Sequence, residues 1–192
     1  MLIVSRESGL VCGIDEAGRG PLAGPVCAAA VILPKEFYDA DLNDSKKLSE
    51  KKRERLYAVI TQNAVAWSVA FASVEEIERL NILRATFLAM NRAYAGLNTP
   101  VEKALVDGNQ NPGLPVQTEC IVGGDGKYDC IAAASVLAKV SRDRLMCELG
   151  ESYPQYGFQK HKGYATKQHR EAIAHFGPCE FHRLSFLGNI LR

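Results

Sequence analysis

Two adjacent carboxylates, Asp15 and Glu16, close an apolar stretch and are followed at once by a glycine-framed arginine, Gly18-Arg19-Gly20. An acid that ends a buried strand costs folding energy unless it is solvated or paired, so the pair points to a metal ion or to proton transfer. The glycine-framed run behind it leaves backbone N–H groups open to a ligand without side-chain obstruction. The acids can hold a cation while the amides hold an anion, a combination suited to phosphate chemistry. A solvated turn with a structural Gly-Arg-Gly is the plainer reading of the same segment. Gly18 to Gly24 also imitates a dinucleotide-binding fingerprint, but its third glycine comes one residue late, and Pro21 and Pro25 interrupt the helix that such a fold requires.

The elements that must position these residues follow from periodicity. Val11, Cys12 and Ile14 read as a buried strand, and Val26 to Leu33, apolar and β-branched at several positions, as a second. After a polar connection from Pro34 to Asp44, Ser49 is placed to cap a helix through about Gln62, with Leu56, Val59 and Ile60 inward. Ala64 to Ala72 carries Trp67, Val69 and Phe71 at alternate positions and predicts a strand. Ser73-Val74-Glu75-Glu76 matches a capping box, and Ile77, Leu80, Leu83, Phe87, Met90 and Tyr94 then recur at helical spacing, which predicts one long helix up to Gly96. Short strands at Ala104 to Val106 and Glu119 to Val122 end in Asp107-Gly108 and Gly123-Gly124-Asp125. A small-residue helix from about Tyr128 to Leu149, with Ala132, Ala133, Ala134, Ser135 and Ala138, is suited to close packing against the sheet. A further helix from Ala165 to Phe176 stops at Gly177-Pro178. With no internal repeat or linker, the order predicts a single α/β domain over 1–192 with a mixed central sheet.

Composition sets bounds. A chain of 192 residues with 47% hydrophobic and 23% charged residues is large enough to bury a core without staples. The longest apolar run, Val26 to Leu33, is too short to span a membrane, and Arg6 and Glu7 precede no long apolar region of a secretory signal. The six cysteines lack Cys-x-x-Cys pairing and several sit in apolar runs, so free thiols in a reducing, cytoplasmic compartment are expected. His161, His169, His175 and His182 lack zinc-site spacing and read as surface or packing residues; a metal would be held by oxygen. A net charge of +1 argues against coating nucleic acid by bulk electrostatics. Positive charge is local, in Lys46, Lys47, Lys51, Lys52 and Arg53 and in Lys160, His161 and Lys162, where a solvated face is the plainer reading.

The motifs, taken in order, resemble the type 2 ribonucleases H, the ribonuclease HII family. The resemblance rests on Asp15-Glu16-Ala17-Gly18-Arg19-Gly20, Asn43-Asp44-Ser45-Lys46-Lys47-Leu48-Ser49, Leu105-Val106-Asp107-Gly108, Gly124-Asp125, the run from Ala132 to Val140, and His161-Lys162-Gly163-Tyr164. These span most of the chain. In two places it departs from the pattern: Gly124 stands where many relatives carry lysine, and Leu187-Gly188 replaces a common glycine and proline. The first departure is expected to weaken a local phosphate contact.

The resemblance implies a ribonuclease H-like fold with a helical, substrate-binding C-terminal part from about 153. It implies that Asp15, Glu16, Asp107 and Asp125 are catalytic acids holding Mg²⁺ or Mn²⁺, with Asp15 bridging two ions. Phosphodiester hydrolysis needs an activated water, stabilisation of an anionic transition state and relief of charge on the leaving oxygen, and two ions about 3.5–4 Å apart supply all three. Without that context, Asp107 before glycine is a turn former and Asp125 a helix cap. Asp143, beside Arg142, is assigned to a helix salt bridge and Asp129 to an accessory position. For substrate, the resemblance implies that the backbone of Gly18, Arg19 and Gly20 contacts the 2′-hydroxyl that distinguishes RNA from DNA. Tyr164 then stacks on the neighbouring deoxyribose and Lys46 contacts phosphate, with Lys47 and Lys139 as weaker candidates. The implied partners are RNA/DNA hybrids and duplex DNA containing ribonucleotides, acted on by a monomer that leaves 5′-phosphate and 3′-hydroxyl ends. Two rival readings are a two-carboxylate glycosidase, weakened by a single Trp and by the third and fourth acids, and a hybrid-binding module without activity.

Overall fold

Val26–Ile32 (β2) is apolar at every position because both of its faces are covered. It pairs antiparallel with Val11–Ala17 (β1) on one side and with Ala66–Ala72 (β3) on the other. On its far edge β1 runs parallel to Lys103–Asp107 (β4), and β4 parallel to Gln117–Ile121 (β5). The computed structural model, which describes residues 2–4 and 9–188, therefore has a mixed sheet of order β3-β2-β1-β4-β5. Arg6 and Glu7, on which the reading of the N-terminus rests, lie outside those residues.

One face of the sheet is covered by Glu50–Asn63 (α1) and Asp129–Ser152 (α4), the other by Val74–Leu80 (α2) and Ile82–Gly96 (α3). Alternation sorts the strand side chains cleanly. Val11, Cys27, Ala29, Val31 and Leu105 pack towards α4, while Cys12, Ile14, Val26, Ala28, Ala30 and Val106 pack towards α3. Ala132, Ala133, Ala134 and Ala138 on α4 are fully buried, as their small size suggested. Beyond α4 the chain folds into the short helix Phe158–His161 (α5) and Lys167–Phe176 (α6). No helix among the described residues is long and apolar enough to cross a membrane, and all six cysteines are free.

The single helix predicted from Val74 to Gly96 is two helices. Asn81 adopts φ 67°, which ends α2, and its side chain accepts a hydrogen bond from the Arg84 N–H at 3.1 Å, which starts α3. Hydrophobic spacing passes through Asn81 unbroken, whereas asparagine both tolerates positive φ and caps a new helix. Elsewhere the differences lie at boundaries: β3 begins at Ala66, α4 continues to Ser152, and α6 begins at Lys167 behind a Thr166 cap.

The closest approach of another backbone to a glycine lies under the acids. A Cβ on Gly13 would stand 2.2 Å from the Cys130 carbonyl carbon, so α4 presses its first turn directly on the β1 backbone. Gly13→Ala is expected to destabilise the protein by about 1–3 kcal/mol, the usual cost of overpacking. Gly20→Ala, with nothing within 4 Å of the added methyl, should leave stability unchanged. Urea unfolding of the two variants checks the contrast.

Candidate active site

The parallel register pairs Ile14 with Val106, so the next residues, Asp15 and Asp107, stand side by side at the ends of adjacent strands, on the face that α4 covers. Asp107 Oδ1 accepts a hydrogen bond from the Gly124 N–H at 2.7 Å. This bond draws in the 3-10 turn Gly124–Gly126, which carries Asp125 between β5 and α4. Glu16 follows on β1, and its N–H donates to Asp15 Oδ1 at 2.7 Å. Four acids from three chain segments thus converge, with Asp15 only 3% and Asp125 only 7% exposed.

Their ionisation shows the strain. Burial pushes the Asp15 carboxyl well above the usual carboxylate range, and the charges of Glu16 and Asp107 push it further. Burial also raises Glu16, against the opposing pull of Arg19, whose Nη1 lies 3.4 Å from Glu16 Oε1. Asp125 is raised by burial and then by the charges of Asp44 and Asp107. Lys46 answers from the lysine loop, its Nζ 3.8 Å from Asp125 Oδ2. Burial alone would lower this ammonium, but Asp15, Asp125, Asp44 and Asp107 together hold it above its ordinary value.

Carboxylates that resist ionisation because they are buried, and further because they face one another, are a donor set suited to a hard divalent cation. Among the described residues no three of them stand close enough to grip an ion in the arrangement seen. Arg19 and Lys46 neutralise part of the cluster instead.

Beside the acids runs a groove of about 440 Å³. Glu16, Gly18, Arg19, Gly20, Lys46 and Tyr164 all line it, together with Ser45, Arg53 and Lys139. Tyr164 is 44% exposed, and Lys139 Nζ lies 5.9 Å from its ring centre. Of the weaker candidates, Lys47 faces Asp44 at 3.9 Å and Lys139 bonds Asp143 at 2.7 Å. That last contact corrects the expected partner of Asp143: the helix salt bridge forms one turn back with Lys139, while Arg142 turns inward to main-chain carbonyls. Asp129 opens α4 and lines a separate cavity of about 270 Å³ with Leu2, Phe37 and Leu42, away from the groove. His161, His169 and His182 are packing residues, buried and in contact with one another, whereas His175 is exposed.

Several participants escaped the sequence reading. Ser135, taken as a packing residue, reaches the Asp15 carboxylate and offsets part of the rise in its pKa. Its hydroxyl also lies 2.8 Å from that of Ser45, which ties the lysine loop to α4. Asp44 accepts from the Lys46 N–H at 2.9 Å and interacts with Asp125. Arg53 secures the same loop through the Ser45 and Leu48 carbonyls. The available signal was Ser135 itself, a lone polar residue in the apolar run from Cys130 to Ala138. At Gly124, an added Cβ would stand 2.6 Å from Ile131 Cδ1, so a lysine there would require Ile131 to shift, while the Gly124 N–H bond to Asp107 needs no side chain. Leu187, the other departure, is fully buried with Leu22 and Ile173.

The sequence profile of the family described as Ribonuclease HII matches residues 12–188. Ribonuclease HII of Dechloromonas aromatica (strain RCB) is 60% identical over 178 residues, which cover 93% of this chain and 91% of that protein. The ribonuclease HII of Burkholderia pseudomallei (strain 668) is 57% identical, over 92% of this chain and 83% of its own. The ribonuclease H2 structure from Pyrococcus horikoshii OT3 superposes with a TM-score of 0.75 at 26% identity, covering 92% of this chain and 93% of that one. A structure of the PCNA:RNase HII complex from Archaeoglobus fulgidus gives 0.71 at 28% identity, covering 91% and 94%. Bst-RNase HIII in complex with Mn²⁺ shares the fold, with a TM-score of 0.74 at 18% identity and coverage of 92% and 67%. The ribonuclease H-like α/β architecture expected from the motifs is the one observed.

A carboxyl whose pKa is higher in the folded chain than in the unfolded one is proton-bound longer when folded, so its contribution to stability falls as pH rises above the unfolded value near 3.8. Asp15→Asn removes that liability. The melting temperature of Asp15→Asn minus that of the parent, both in EDTA, is expected to be positive and to grow from pH 5 to pH 8. Each kcal/mol of relief reads as about 2–4 °C in a chain of this size. A difference that is flat or negative over this range contradicts the raised Asp15 carboxyl.

Proposed function

The chain belongs to the ribonuclease HII family, and on that premise we propose that it incises duplex DNA on the 5′ side of a lone ribonucleotide as well as cutting the RNA strand of continuous hybrids. As a member of that family it is a metal-dependent type 2 ribonuclease H, a hydrolase acting on RNA/DNA hybrids. The family displaces the glycosidase reading. The observation that carries the finer proposal is the groove itself, in which the Gly18-Arg19-Gly20 backbone, Lys46 and Tyr164 share one wall system with Glu16.

In this reading Asp15, Glu16, Asp107 and Asp125 would hold two divalent ions, Asp15 as the central ligand. The ions, when bound, supply Lewis acidity at the attacked phosphate and at the leaving oxygen. The protein's part is position and selection. Gly18, Arg19 and Gly20 present main-chain groups close to the acids, so a single 2′-hydroxyl is read at the cleavage position. Lys46, whose Nζ lies 3.8 Å from Asp125 on the wall of the groove, would contact the phosphate of a substrate seated there. Tyr164 stacks on the deoxyribose beside the ribonucleotide and marks the junction. The products carry a 5′-phosphate and a 3′-hydroxyl, with the ribonucleotide at the 5′ end of the downstream strand.

Asp15→Asn and Asp107→Asn are expected to abolish cleavage while leaving folding and hybrid binding largely intact; near-parental cutting by either in millimolar Mg²⁺ rejects the two-ion assignment. Stacking on an aromatic is worth about 1–3 kcal/mol, so Tyr164→Ala should lose activity on a lone ribonucleotide by about fivefold or more, and Tyr164→Phe much less. Equal cutting by both variants and the parent makes Tyr164 a packing residue. Gel mapping of a labelled duplex with one ribonucleotide tests specificity: the cut is expected at the DNA-to-RNA phosphate. Robust cutting of long hybrids with none at the lone ribonucleotide refutes the proposal.

A further inference from the structure

Beneath the groove lie two guanidinium groups that no part of the chemistry above uses. Arg142 and Arg183 are 1% and 0% exposed, and both spend their donors on main-chain carbonyls. Arg183 donates from Nη2 to the Gly18 carbonyl at 2.6 Å, from Nη1 to the Arg19 carbonyl at 2.9 Å, and from Nε to the Gly24 carbonyl at 2.9 Å. Arg142 donates from Nε to Pro25, from Nη2 to Ala23 and from Nη1 to Lys162, each at 2.9 Å. One arginine thus grips the loop after β1, and the other ties that loop to the segment leading into Tyr164.

A buried guanidinium costs several kcal/mol unless its hydrogen bonds are well satisfied. Closing a loop does not demand that cost, because backbone bonds already do so here. The Leu22 N–H donates to the Gly163 carbonyl and the Arg183 N–H to the Leu22 carbonyl, both at 2.8 Å. What the arginines add is orientation. In a trans peptide the carbonyl of one residue and the N–H of the next point in opposite directions. Holding the Gly18 and Arg19 carbonyls inward therefore turns the Arg19 and Gly20 N–H groups outward, on the side of the groove. Among the described residues neither N–H has a main-chain acceptor.

The glycines fit this account. A Cβ on Gly18 would stand 2.0 Å from Arg142 Nε, and one on Gly163 would stand 2.5 Å from the Ala23 carbonyl oxygen. Gly18 and Gly163 also have φ of +97° and +84°. Gly18 thus lies directly against the Arg142 guanidinium, and Gly163 against the Ala23 carbonyl to which that guanidinium donates.

We propose that Arg142 and Arg183 are positioning residues for specificity: Arg183 aims the Arg19 and Gly20 amides at the 2′-hydroxyl, and Arg142 fixes the distance from those amides to Tyr164. The inference rests on the reading of the groove given above. A continuous hybrid offers a 2′-hydroxyl at every register, so loosened aim costs it little. A lone ribonucleotide offers one, and the aim decides.

The test is steady-state cleavage by the full-length parent and by Arg183→Lys, which keeps the charge but replaces a planar fork with a single ammonium. On the lone-ribonucleotide duplex the variant is expected to raise KM tenfold or more with kcat within about threefold. Its ratio of kcat/KM on that duplex to kcat/KM on a continuous hybrid should fall about tenfold. Tyr164→Ala should cost less in the Arg183→Lys background than in the parent, since a misplaced loop has already lost the benefit of stacking. An unchanged ratio, or equal losses on both substrates, makes Arg183 merely structural and overturns the inference. Failure of the parent itself to cut a lone ribonucleotide removes the underlying reading, and the inference with it. Should Arg183→Lys not fold, hydrogen exchange of the parent decides: the Leu22, Gly24 and Arg183 amides should exchange as one unit. Rates more than tenfold apart contradict a shared clamp.

Discussion

The mutual repulsion of carboxylates buried at neighbouring strand ends is the constraint to which the rest of the molecule answers. Parallel pairing of β1 and β4 puts Asp15 beside Asp107, and the Gly124 N–H bond to Asp107 brings the turn bearing Asp125 to the same place. Burial penalises the charged form, and neighbouring carboxylates add to that penalty, which is why Asp15, Glu16 and Asp125 all bind protons more tightly than free carboxyls. Such a cluster persists only if the scaffold over-determines it. The contact of α4 with the Gly13 backbone, the Ser135 hydroxyl at Asp15, and the cations of Arg19 and Lys46 are the means by which this chain does so. The stability given up there leaves a site that gains from divalent cations.

In the proposed reading the groove beside the acids would work through main chain as much as side chain. Amides read a hydroxyl without reading a base, which suits an enzyme that must recognise sugar chemistry in any sequence. Amides are useful only when their planes are fixed. The buried arginines beneath Gly18 to Pro25 and the backbone bond between Leu22 and Gly163 fix them, and the same layer carries Tyr164 on its far side. His169 belongs to this layer too, its Nδ1 lying 2.9 Å from the Tyr164 carbonyl oxygen. The segment beyond α6 that carries Arg183 thereby shapes a loop that lies about 160 residues earlier in the chain.

Much of this was legible in the sequence, for physical reasons that differ by element. Strands with both faces buried announce themselves as apolar runs, and acids at their ends stand out because burial penalises them, so β1, β2 and Asp15-Glu16 were readable directly. The more scattered acids Asp107 and Asp125, together with Lys46 and Tyr164, each had an innocuous local reading, and only the family resemblance joined them. Asn81 hid a helix break because hydrophobic period carries no information about a residue that tolerates positive φ. Asp143 was paired with its sequence neighbour Arg142, although on a helix the partner within reach is Lys139, four residues away. The contacts of Ser135, Arg142 and Arg183 were invisible, since what matters in each is a carboxylate or carbonyl brought from a distant segment.

The most direct measurement of the account is a crystal structure of the full chain with a duplex containing one ribonucleotide, in Ca²⁺ to hold the complex before cleavage. The account predicts cations among Asp15, Glu16, Asp107 and Asp125, the ribonucleotide's 2′-hydroxyl against the Arg19 and Gly20 amides, and Tyr164 stacked on the adjacent deoxyribose. A duplex seated outside the groove, or one seated in it with the 2′-hydroxyl turned away from those amides, contradicts it.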